Sequence, residues 1–162
     1  MPDDLGTRVV DHVFKRMMID EEWAVREPRG FTWWGGKLAQ RIWTDPPIQD
    51  DGFTIWRVHA QTDLLRGWSR VKQGPEKLNA LAHYATVSAF LVEQERSDTV
   101  RLASSLYVPG EVESDLRESL SLIASIQTAE AHIMAEKLAE VAGRFSADVK
   151  SGNYPSESES YG

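Results

Sequence analysis

The stretch from Phe31 to Arg66 constrains the fold more than any other. It reads FTWWGGKLAQRIWTDPPIQDDGFTIWRVHAQTDLLR. Two turn sites cut it into three strand-like runs. Gly35-Gly36 suits a two-residue hairpin, because glycine reaches the positive φ that primed turns require. Asp45-Pro46-Pro47 through Asp50-Asp51-Gly52 is a longer break, since proline removes ladder donors and glycine frees the backbone. The second run covers about Lys37 to Thr44 and the third about Phe53 to Leu64. In the third, Trp56, Val58, Ala60, Thr62 and Leu64 share one face by the two-residue period, and Ile55, Arg57, His59, Gln61 and Asp63 share the other. The first face reads as core. The second is amphipathic, as expected of an antiparallel sheet wet on one side or of a binding surface.

The flanks carry helical periodicity. Residues 3–22 predict an amphipathic helix capped by Asp3 or Asp4, with Val9, Val13 and Met17 at helical spacing and Val10, Phe14 and Met18 beside them. Pro28-Arg29-Gly30 breaks the chain before the sheet. Leu65 to Gln73 is a polar connection holding Trp68, and Gly74-Pro75 opens a short helix to Tyr84. Thr86 to Gln94 is the most apolar run and is expected at the sheet centre. Thr99 to Val108 alternates as a further strand, stopped by Pro109-Gly110. A long helix then runs from about Glu111 to Phe145, with Glu111, Glu113, Asp115 and Glu118 at its dipole-positive end. Leu116, Leu120, Ile123, Ile126, Ile133, Met134, Leu138, Val141 and Phe145 trace its apolar stripe. At 1.5 Å per residue it spans about 50 Å, so either it breaks near Ser125 to Thr128 or its end packs on another chain. The expected fold is α+β: a five-stranded antiparallel sheet with helices on one face, in the order α-β-β-β-α-β-β-α. Residues 1–145 form the single domain, and 146–162 make a polar tail, disordered by composition.

The chain of 162 residues is long enough to bury a core without a staple, and it has no cysteine for disulfides, thiolate metal sites or a cysteine nucleophile. Its net charge is −7 and belongs to the C-terminal half: residues 1–80 carry 12 basic and 12 acidic side chains, residues 81–162 carry 6 and 13. Such a chain lacks the broad basic footprint of nucleic-acid binding. Trp33, Trp34, Trp43 and Trp56 could stack bases, but core or interface packing suits the charge better. With no apolar run of signal or membrane-span length, the expectation is a cytoplasmic protein with no membrane contact. The four histidines are scattered, and His132 with Glu136 alone is no ligand set. Ser104 and Ser105 lack a G-x-S-x-G setting. The glycines make no phosphate loop. No catalytic residue, cofactor or metal is expected.

The order of elements, the size, the acidity and the run GFTWWGGKLAQRIW before GFTIWRVHAQTDLLR give a resemblance. Over about residues 3–145 the chain resembles the type III secretion chaperone-like fold and the YbjN-like bacterial proteins that share it. The resemblance implies a small acidic homodimer that binds other proteins and has no catalytic residues. The tryptophan content and the long terminal helix depart from secretion chaperones. The expected function is therefore a non-enzymatic protein-binding module, chaperone-like or regulatory. Its candidate interaction residues are Ile55, Arg57, His59, Trp68 and Ile133. The alternative is a small-molecule binder in which the sheet grips the C-terminal helix around an apolar cavity.

Overall fold

In the computed structural model, which describes residues 4–35, 38–65, 67–68, 71–84, 88–93 and 99–142, helix α1 (Leu5–Arg16) starts where the sequence places a cap. Asp4 Oδ1 accepts the Thr7 amide at 2.9 Å. Burial raises the Asp4 carboxyl, but hydrogen bonds from Thr7 and the Arg29 guanidinium outweigh it and hold the group below its ordinary range. Hydrogen bonds from Lys15 and Arg26 likewise lower Asp11. α1 ends at Arg16, short of the expected Glu22, and Met18 takes a left-handed φ of 54° just beyond.

Among the described residues seven antiparallel strands follow, not five: β1 (Ala24–Glu27), β2 (Gly30–Gly35), β3 (Leu38–Thr44), β4 (Ile48–Asp50), β5 (Phe53–Leu65), β6 (Ala89–Glu93) and β7 (Thr99–Pro109). Their order is β1-β2-β3-β5-β7-β6, with β4 also on β5. The two extra strands are four and three residues long, too short to show a period. β1 pairs across the Pro28-Arg29 turn, with Glu27 opposite Gly30. β4 pairs across Asp51-Gly52, whose φ values of 47° and 81° are those of a primed hairpin turn. Gly35, expected in the turn with Gly36, is the last residue of β2 and lies opposite Leu38; residues 36–37 lie outside the described residues. The apolar run expected at the centre is at the edge: β6 pairs β7 and ends the sheet order. Its hydrophobicity serves a different purpose, because Phe90 and Val92 pack onto the core beside α2 (Gly74–Leu81).

The helices lie on one face. α1 rests on Phe31, Ile42, Trp56, Val58 and Ala60, with Leu116, Leu120 and Ile123 closing the cluster. Gly6 allows the approach, since a Cβ there would stand 2.7 Å from Trp56 Cζ3 and 2.8 Å from Thr44 Oγ1. A second cluster joins Leu38, Leu64, Leu65, Trp68, Leu78, Val100 and Leu102 to Ala131, Met134, Ala135 and Leu138.

Helix α3 (Glu113–Ala142) spans both clusters. It runs through Ser125 to Thr128 without a break, and its length is used by lying across the sheet instead of projecting from it. The expected stripe needs correction. Ile133 is 54% exposed and Ile126 only half-buried, while Gln127, fully buried, takes the core position between Ile123 and Met134. Residues 143–162, including the expected tail, lie outside the described residues. Among the described residues no helix is long and apolar enough to cross a membrane.

Candidate functional site

Between the two apolar clusters sits a buried polar node. Gln127 Nε2 donates to Ala60 O at 2.6 Å and Ser104 Oγ at 2.8 Å. Its Oε1 accepts from Thr62 Oγ1 at 2.8 Å and Gln40 Nε2 at 3.3 Å. Gln40 Nε2 also reaches Ala124 O at 3.0 Å, and Gln40 Oε1 accepts the Trp33 indole N–H at 2.8 Å. Ser88 extends the chain from Ser104 at 2.7 Å to Glu130 at 2.9 Å. A low-dielectric interior makes such a network strong when satisfied and fixes the helix register on the sheet. The crevice beside it, lined by Trp33, Leu38, Gln40, Thr62, Thr128, Ala131 and His132, has no room for even a water-sized molecule. This weighs against a ligand held between sheet and helix at that point. A larger groove of about 480 Å3 lies between α2 and β6, lined by Leu78, Ala82, Phe90 and Val92 among others.

The other face of the sheet carries the chemistry. No helix packs there among the described residues, and the register sets its side chains in cross-strand rows. One row runs Glu27, Gly30, Trp43, His59, Ser105 over five strands. Gly30 is required in it, because a Cβ would meet Trp43 Cβ at 2.6 Å. Arg41 pairs with Glu27, Nη2 to Oε2 2.8 Å, and lies 4.3 Å over the Trp43 ring. The Trp43 ring stacks on His59 at 4.5 Å and 15°. His59 is 5% exposed. Its Nε2 lies 2.7 Å from Asp45 Oδ2 and its Nδ1 2.7 Å from Ser105 Oγ. Arg57 Nε stands 3.7 Å from the same Asp45 oxygen, and Arg101 pairs with Asp63 at 2.6 Å.

At the β4–β5 end the face turns apolar. Ile48, Ile55 and Pro109 form one row, with Phe53 and Tyr107 on the same face, 69% and 63% exposed. Arg57 lies opposite Tyr107, its guanidinium 6.0 Å from the ring centre.

The structure therefore brings Ile55, Arg57 and His59 together and separates the other two candidates. Trp68 is buried in the second cluster, its indole against Gly74, where it can contact no partner in the folded protein. Ile133 lies on the outer side of α3, across the molecule. The sequence reading set Ser105 aside for want of a G-x-S-x-G setting and missed Asp45, Gln40 and Gln127. Only Gln127 left a trace, as a polar residue at helical spacing from Leu116, Leu120, Ile123 and Met134. Among the described residues no group of three or more His, Asp or Glu is placed to hold a metal ion. Comparison with protein-family models, curated proteins and solved structures finds no match.

Proposed function

We propose that the chain is a protein-binding module, chaperone-like or regulatory, that works in the cytoplasm as a small acidic homodimer, of the secretion chaperone-like, YbjN-like kind. The observation that carries this is the outer face of α3. Its inner face is already filled by the core, yet Leu122 (58% exposed), Ile126, Ala129 and Ile133 continue along the outside at spacings of four, three and four. That is the spacing of a helix-pairing seam. The stripe is self-complementary. Antiparallel pairing about the point between Ile126 and Ala129 sets Leu122 against Ile133 of the second copy and Glu118 against its Lys137. Asp115 would then face Glu140, which bounds the contact to the middle turns. Closed two-fold pairing is the commonest way for a chain to cover such a stripe. The apolar end of the open sheet face, with Phe53, Ile55, Arg57 and Tyr107, remains for the partner protein. Aromatic and arginine side chains of this kind dominate interface energetics.

Sedimentation equilibrium tests the reading. The expected mass is twice the 18.3 kDa of the chain. Ile133→Glu is expected to give the monomer with an unchanged circular dichroism spectrum, while Ile55→Glu stays dimeric. A wild-type mass that remains at 18.3 kDa from low to high micromolar concentration would refute the dimer. Dissociation by Ile55→Glu alone would move the interface to the sheet.

A further inference from the structure

Asp45, His59 and Ser105 stand in hydrogen-bonded series on the open sheet face, a carboxylate, an imidazole and a hydroxyl. We infer that Ser105 is an activated nucleophile that accepts the acyl group of a carboxylic ester, with His59 as its base and Asp45 as the group that orients the base. Three observations bear on this.

The first is the direction of the hydrogen bonds. An ionised carboxylate only accepts, so the Asp45 contact at 2.7 Å places the imidazole proton on Nε2. In the neutral ring Nδ1 is then the acceptor, and the Ser105 hydroxyl, 2.7 Å away, donates to it. That is the tautomer and direction proton abstraction requires. The second is rigidity. His59 is buried in the central strand and stacked on Trp43, and the Asp45 amide donates to Arg57 O at 3.1 Å. The base is thus held by the sheet, and the orienting carboxylate, one residue past the end of β3, is tied to it by that amide bond. The third is access. Ser105 is exposed, whereas its neighbour Ser104 is buried and engaged by Ser88 and Gln127. A hydroxyl that merely satisfied a buried ring nitrogen would need no opening to solvent.

In the reaction, Ser105 Oγ adds to the ester carbonyl carbon as its proton passes to His59 Nδ1. The carbonyl electron pair moves to oxygen. Arg57 lies diagonal to Ser105 in the register, within side-chain reach of that oxyanion. Collapse breaks the ester C–O bond, the alcohol leaves with the proton from Nδ1, and the acyl group stays on Oγ. Water repeats the sequence with His59 as base and releases the carboxylic acid. The apolar side chains next along the face, Tyr107 and Ile55, favour an apolar acyl group. The site is open, so turnover is expected to be slow and acylation easier to detect than steady-state rate. This activity departs from the expectation of a chain with no reaction of its own, and it does not depend on the dimer.

The test is labelling of the full chain with a fluorophosphonate, read by intact mass and peptide mapping, beside hydrolysis of 4-nitrophenyl butyrate. One label on Ser105 is expected. Ser105→Ala, a change at an exposed position, should lose the label and reduce hydrolysis to that of the remaining surface groups. Asp45→Asn should slow labelling at least ~10-fold, and His59→Gln ~100-fold or more, with the circular dichroism spectrum retained by Asp45→Asn. Absence of label on Ser105 in the folded wild-type chain would overturn the inference. So would labelling of Ser105 at an unchanged rate in Asp45→Asn and His59→Gln.

Discussion

Replacing Gln127 by alanine probes the contact that seats α3 on the sheet. The side chain is fully buried and makes four hydrogen bonds to β3, β5 and β7. After truncation Gln40 keeps Ala124 O and Ser104 keeps Ser88, but Thr62 Oγ1 loses the acceptor 2.8 Å away. A buried polar group left without a partner costs about 1–3 kcal/mol. The void left by the amide and a methylene, on the order of 50 Å3, adds about 1 kcal/mol at ~24 cal/mol per Å3. The expected loss is therefore about 2–4 kcal/mol, or a thermal midpoint lower by roughly 4–16 °C for a chain of this size. Gln127→Leu keeps the volume and loses the bonds, so it should still cost about 1–3 kcal/mol. Thr62→Val in the Gln127→Leu background removes the orphaned hydroxyl and should recover part of the loss. Urea unfolding with a common slope measures these three and Thr62→Val alone. If Gln127→Leu is neutral, the node contributes by volume alone and the polar account is wrong. If the double variant is the sum of the singles, Thr62 and Gln127 are not coupled.

Two further outcomes follow from α1. Gly6→Ala should destabilise by about 1–3 kcal/mol despite alanine's better helix propensity, because the new methyl overpacks against Trp56; a stabilised variant in thermal denaturation would show that the helix can lift at no cost. Asp4→Ala should lose about 1 kcal/mol at neutral pH with the cap. The folded carboxyl titrates below its ordinary 3.8, so its contribution is complete above that value and fades as pH falls through the lower folded value. The gap between wild type and Asp4→Ala should narrow in acid; a gap of constant size would mean that the charge does not matter.

The sequence by itself determined the α+β class, the antiparallel sheet and the single helical face. These rest on local rules: the two-residue period in Phe53 to Leu65, the turn chemistry at Gly52, and the cap at Asp4. Short β1 and β4 escaped because three or four residues carry no period. β6 was misplaced because hydrophobicity measures burial, and an edge strand can also pack on the core, as β6 does through the half-buried Phe90 and Val92. In α3 the apolar residues outnumber one stripe, so periodicity alone assigned Ile126 and Ile133 inward. The sheet instead takes Gln127 inward, because β5 and β7 present Thr62, Ser104 and a carbonyl at that point. The candidate site divided in the same way. Alternation put Arg57 and His59 on one face, but Asp45, His59 and Ser105 are separated by 14 and 46 residues along the chain. Only strand register, a long-range property set by the whole sheet, brings a carboxylate, an imidazole and a hydroxyl within hydrogen-bond reach.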